Sequence, residues 1–123
     1  VNSEPKHFPA PYLLSSHVII AAGQAGLDTI GVTRALMRGC WVDERNIGDR
    51  DDVASILDGL GLDGAALVAA SDSAAVAAEL SANTDEALVD KAWSVPSFVV
   101  DGELFFGQDR IEMIDWRLSG GKN

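Results

Sequence analysis

Few side chains in this sequence are of a type and spacing suited to chemistry. Cys40 is the sole cysteine, so the chain encodes no internal disulfide, no C-x-x-C redox pair and no thiolate cluster with metal-ligand spacing. Near the end of a predicted helix and among apolar neighbours, it reads as an inert packed thiol. His7 and His17 invite an acid–base reading because imidazole titrates near neutrality, yet a structural role outweighs it for both. Gly107-Gln108-Asp109 is different in kind. It opens a predicted helix, where free N–H groups and the helix dipole favour a ligand carboxylate, and the Asp109 carboxylate suits a ligand ammonium as well as an ordinary N-cap. Arg110, inside the first turn of that helix, is expected to pair locally. Asn83 and Thr84 are adequate helix caps in their own right.

The elements that must position these residues follow from pattern. Pro5, Pro9 and Pro11 fix φ and remove backbone donors, so the leader is extended or turning. Apolar residues recur at helical spacing from Tyr12 to Ala25, and Gly26 supplies a stop. A second helix runs from a cap at Asp28 or Thr29 to about Val42, weakened locally by Gly31 and Gly39. A polar loop, Asp43 to Asp52, leads to a third helix from about Asp52 to Leu60. A short Ala-rich helix follows Gly64, and a longer helical stretch spans Asp72 to Trp93. Within it Asn83-Thr84-Asp85-Glu86 resembles a capping box, which predicts a bend near Asn83.

At Val95 the period changes. Ser97-Phe98-Val99-Val100 and Glu103-Leu104-Phe105-Phe106 flank Asp101-Gly102, a strong hairpin signal. Side chains alternate across a strand, so at least one of Phe105 and Phe106 belongs to a core. Asp109 caps a closing helix, with Glu112 placed to complete a capping box and Ile111, Ile114 and Leu118 as its buried stripe. Gly120 and Gly121 end it, leaving Lys122 and Asn123 frayed. A lone hairpin is marginal in water, so its strands are expected to need partners that this sequence does not encode.

Composition limits the function classes. At 123 residues and 47% hydrophobic side chains, the chain has the size and apolar content of a compact domain with a core. The net charge of −10 works against a phosphate-rich partner, so no nucleic acid is expected. Leu13 to Ala22 is too short and interrupted to span a bilayer. No membrane is expected, and a reducing cytoplasm is the compartment that fits.

The stretch Val95-Pro96-Ser97-Phe98-Val99-Val100-Asp101-Gly102-Glu103-Leu104-Phe105-Phe106-Gly107-Gln108-Asp109-Arg110 is very similar to the signature of the group that holds 2-hydroxychromene-2-carboxylate isomerases and kappa-class glutathione transferases. His7-Phe8-Pro9, Gly61-Leu62-Asp63 and Asn83-Thr84-Asp85-Glu86-Ala87 extend the resemblance over nearly the whole chain. It implies an α/β, thioredoxin-like fold with a helical insertion. Residues 1–93 would be the insertion and connecting helix, and 94–123 the C-terminal hairpin and helix. In that group a β-α-β unit precedes these elements and carries a serine facing the glutathione sulfur. No residue here matches that serine. Ser15 and Ser16 lie within a helix and do not take the role, so the expectation is an incomplete chain.

The resemblance also implies a site for glutathione as cofactor. Such a tripeptide needs a hydrogen-bonding backbone edge and a charge pair for its γ-glutamyl end. Val95 before a cis Pro96 would present the edge, Gln108 and Asp109 would meet the charged end, and Asn83 would lie close by. Ser94 stands where glycine is common, His17 about where arginine is usual, and Trp93 reads as core. The implied activity is isomerisation of 2-hydroxychromene-2-carboxylate-type intermediates of aromatic degradation, with glutathione and a small aromatic substrate as partners. Related enzymes tend to be dimers, so a homodimer enters as an option. A kappa-type transferase, a DsbA-family thiol–disulfide oxidoreductase and a non-catalytic helical module binding through its hairpin edge are the rival readings.

Overall fold

The computed structural model describes residues 1–121; the expected fraying of Lys122 and Asn123 lies outside the described residues. The chain folds as two compact units, one of Val1–Leu80 and a second from Ser81 onward. The first is helical. It comprises α1 (Leu13–Gln24), α2 (Thr29–Trp41), α3 (Arg50–Asp58), α4 (Gly64–Ala70) and the first part of α5 (Ala74–Val89). Helix starts follow the short acidic residues. Asp28 accepts from the Gly31 N–H, Asp49 from those of Asp51 and Asp52, and Asp63 from that of Ala66, each satisfying donors that the first turn leaves open. Helix α1 ends as Gly26 was expected to end it. With φ at +72°, Gly26 lets its own N–H reach the Gly23 carbonyl and that of Leu27 reach Ala22, a Schellman closure.

One core holds the unit together. Val18 and Ala22 from α1, Val32 and Leu36 from α2, Val53 and Leu57 from α3, and Leu67 and Val68 from α4 are buried against one another. A smaller cluster joins Ile20 and Ala21 to Val76 of α5. Full burial of a Leu or Val stabilises by about 1.5–3 kcal/mol, so these four-helix contacts dominate. Helices α3 and α4 approach so closely at Gly64 that a Cβ there would run into the Ala54 carbonyl.

Two expectations about helices are corrected. The third helix begins at Arg50, not Asp52, because Asp49 provides the cap while the Asp52 carboxylate accepts from the Asn46 N–H at 2.8 Å and Arg45 Nε at 2.7 Å. Helix α5 runs without interruption through Asn83, so the helix does not restart there and no capping box forms. The Ala-rich stretch before Asn83 and the helix formers Glu86, Ala87 and Leu88 after it favour continuing the helix over leaving it to cap. The break falls upstream, where α4 and α5 meet at 68°. There the Ser71 hydroxyl donates to the Val68 carbonyl and Ser73 Oγ accepts from the Val76 N–H.

The second unit holds the rest of α5, strands β1 (Ser97–Val100) and β2 (Glu103–Phe106), a single 3-10 turn at Gln108–Arg110, and α6 (Ile111–Leu118). The strands pair antiparallel, Ser97 opposite Phe106 and Val100 opposite Glu103. Asp101 and Gly102 have φ of +52° and +77°, the backbone of the type I′ turn that their order predicts. The described sheet has two strands. Phe105 is buried and Phe106 exposed, as alternation requires. The closing helix differs from expectation. Asp109 lies inside the 3-10 turn, α6 starts at Ile111 with no side-chain cap bond, and Ile111 and Leu118 are exposed with Ile114 half-buried. Its stripe is therefore not a core stripe among the described residues. No single helix among them is long and apolar enough to cross a membrane.

Candidate functional site

Four of the five residues singled out for ligand contact are gathered by one backbone hydrogen bond. The Val95–Pro96 peptide bond is cis, and the Pro96 carbonyl accepts from the Gly107 N–H at 2.9 Å. This bond carries the hairpin pairing one step past Ser97 and Phe106. It sets the Val95–Pro96 edge beside the turn that bears Gln108 and Asp109. Gly107 takes φ of +103°, a conformation that disfavours any side chain. The Asp109 carboxylate folds back over it, occupying the space a Cβ would need. The backbone conformation is what favours glycine at 107, since the exposed Asp109 carboxylate could swing aside.

The cluster is open. Val95 is 87% exposed, and the Asp109 side chain is 72% exposed with Arg110 Nε at 3.6 Å from its Oδ2. Arg110 pairs locally, as its place in the first turn predicts. Trp93, expected in the core, is instead 73% exposed and lies against Phe106 with ring centroids 4.5 Å apart. Its partner is the outward member of a strand pair, so the stack forms on the surface side. The Ser97 hydroxyl donates to the Ser94 carbonyl, closing the approach to the strand. Asn83 is exposed within α5, apart in element from the other four, while Thr84 beside it is engaged.

The remaining candidates resolve into structural roles. Cys40 is 1% exposed, and burial, then the negative charge of Glu44, push its thiol pKa up, which suppresses the thiolate that redox or nucleophilic chemistry needs. His7 lends attraction to Glu44 and Asp52, and His17 to Asp72. Asp72 is held below the ordinary carboxylate range by hydrogen bonds from Arg50, whose guanidinium reaches it at 2.8 and 3.0 Å and also the Val68 carbonyl. Ser15 is buried, its hydroxyl donating to the Tyr12 carbonyl. Among the described residues no group of three or more His, Cys, Asp or Glu could hold a metal ion.

Two features escaped the sequence. Arg117 of α6 reaches Asp101 of the hairpin turn, Nε to Oδ2 at 3.7 Å, although residues sixteen apart in different elements carry no pattern linking them. Glu44, in a polar run that reads as loop, has a left-handed backbone with φ of +56° and gathers the leader. A non-glycine residue in that region is the only signal, and it is visible only once dihedrals are known.

A helical unit followed by a hairpin and a closing helix makes a mixed α/β chain, consistent with a thioredoxin-like class. Residues 5–119 match the DSBA-like thioredoxin domain, and the chain belongs to that family. No curated protein matches it.

Proposed function

We propose that this chain belongs to a glutathione-dependent isomerase acting on 2-hydroxychromene-2-carboxylate-type intermediates of aromatic degradation, and that Val95, Pro96, Gln108 and Asp109 hold the tripeptide. The observation that carries this reading is the Gly107-to-Pro96 hydrogen bond. It puts an open backbone edge and an exposed carboxylate side by side, as an extended peptide with a terminal ammonium requires. The Val95 N–H and C=O would pair with a peptide bond of the ligand, and Asp109 would accept from its ammonium. Glutathione, when bound, supplies a thiol that adds reversibly to the substrate and is not consumed. The residues of this chain position it and leave that chemistry to it.

The family also accommodates thiol–disulfide oxidoreductases, which act through a low-pKa cysteine pair. Cys40, single, buried and with a raised pKa, does not supply one. A kappa-type transferase would use the same tripeptide site and leave glutathione attached to an electrophile. Isothermal titration of glutathione into the chain tests the shared premise. Saturable binding, weakened about tenfold or more in Asp109→Ala as a charge-assisted bond is lost, is expected. A well-folded chain without binding overturns the reading, and chromatography of the product from a 2-hydroxychromene-2-carboxylate separates isomer from conjugate.

A further inference from the structure

The leader preceding α1 is not a loose end. The Asn2 N–H donates to the Trp41 carbonyl at 2.7 Å, and the Phe8 ring lies 4.7 Å from that of Trp41 at 43°. Pro5 is buried, and its carbonyl accepts from the Phe8 N–H at 3.1 Å. Between these contacts stands one carboxylate. Glu44 accepts from the Asn2 side-chain amide with one oxygen and from the Lys6 N–H, at 2.6 Å, with the other. Its left-handed backbone turns the side chain back toward the leader, and the next residue, Arg45, is turned away to Asp52. A single side chain thus joins two points of the leader that are four residues apart.

We propose that Glu44 is the latch of a strap, residues 2–8 ahead of α1, and that neutralising this carboxylate releases the strap locally while the four-helix core stays folded. The strap lies outside that core. Its residues are not among the buried apolar set of α1 to α4, whereas a carboxylate accepting two bonds has no second partner to replace it. The charged and titratable groups facing Glu44 are Lys6 and His7 from the strap, which favour its ionised form, and Cys40 from α2, whose thiol pKa is pushed up by burial and, after that, by the Glu44 charge. The Lys6 N–H and then the Asn2 amide hold the Glu44 carboxyl below the ordinary carboxylate range. The latch is therefore complete above that range and is lost as pH falls through the lowered value. Release frees Trp41 from Phe8 and takes Val1 from the groove it lines with Met37, Arg38, Trp41 and Val42.

Residue-resolved hydrogen exchange of the full chain tests this, with the Lys6 amide reporting the strap and the Leu57 amide reporting the core. Glu44→Gln, which replaces one acceptor oxygen by a donor, should speed Lys6 exchange roughly tenfold, about one net hydrogen bond, and leave Leu57 unchanged. Asp43→Asn is the control and should alter neither. In the unmodified chain, acidification should lower the Lys6 protection factor, with the intrinsic pH dependence of exchange divided out, before that of Leu57 falls. Unchanged Lys6 exchange in the variant overturns the proposal. So does a parallel change at Leu57, which would make Glu44 an ordinary contributor to cooperative folding; Glu44→Gly, which relieves the left-handed backbone while removing the acceptor, separates that outcome from a misfolded variant.

Discussion

Asp52 shows how one carboxylate can organise a loop. Its two oxygens take the Asn46 N–H and Arg45 Nε, and the first of these, then the second, lower its pKa. Asp52→Asn should destabilise the helical unit by about 1–2 kcal/mol at neutral pH. The folded-state pKa is depressed, so that contribution is present above the ordinary carboxylate range and vanishes as pH falls through the lowered value. Urea unfolding of both proteins at pH 7 and at a series of lower pH values checks the sign: the midpoints should differ at pH 7 and draw together as pH falls. The sequence placed the helix start at about Asp52 and named no cap for it, since Asp49 and Asp52 are chemically equivalent and only the loop geometry assigns one to the helix and the other to Arg45. Asp109 carries the same lesson. Its type and spacing suit an N-cap, yet the backbone turns through a 3-10 step and leaves its carboxylate exposed over Gly107.

Among the elements, the hairpin and the contact of α3 with α4 make opposite demands on glycine. At Gly102 a Cβ would meet nothing, but φ is +77°, so Gly102→Ala should cost about 1–2 kcal/mol through backbone conformation alone. At Gly64 the sign is contrary to propensity. Alanine is the better helix former by about 1 kcal/mol, yet the added methyl would strike the Ala54 carbonyl, a backbone atom that cannot rotate away. Gly64→Ala should therefore lower stability by about 2–3 kcal/mol as α3 and α4 separate. Thermal or chemical denaturation followed by circular dichroism measures both, and a stabilised Gly64→Ala would contradict the close approach. The hairpin was legible to the residue because turn chemistry and alternation are local. The interruption between α4 and α5 was legible too, with a new helical stretch expected from Asp72, but the continuation of α5 through Asn83 was not, because Asn83-Thr84-Asp85-Glu86 is as good a breaker by composition as Ser71-Asp72-Ser73.

For the whole molecule, burial is uneven. Among the described residues, twelve of the thirteen buried core hydrophobics lie before Ser81, and Phe105 is the one after it. A unit with its own packed core can fold alone, and a two-stranded hairpin with a single buried side chain lacks the apolar burial to do so. Residues 1–89, which keep α5 whole, should give a cooperative thermal transition and dispersed amide spectra when expressed alone. Residues 81–123 alone should give neither. Independent folding of the second piece would mean that the exposure of Trp93, Val95 and Trp116 is no obstacle to its stability. The same exposure bears on the glutathione proposal, since the edge at Val95 is reachable because so little covers it.

By itself, the sequence determined the helices of the first unit, the hairpin with its Asp101-Gly102 turn, and the family-like stretch from Val95 to Arg110. Each of these is set by interactions within a few residues: caps, periodicity and the φ that a turn demands. Tertiary structure decided which of two equivalent aspartates caps α3 and that Cys40 is buried. It also decided that Trp93 faces outward on Phe106, and that Glu44 reaches back to Asn2 and Lys6. Those outcomes depend on groups brought together from distant positions, where hydrogen-bond geometry and the space left by packing choose among local options of nearly equal free energy.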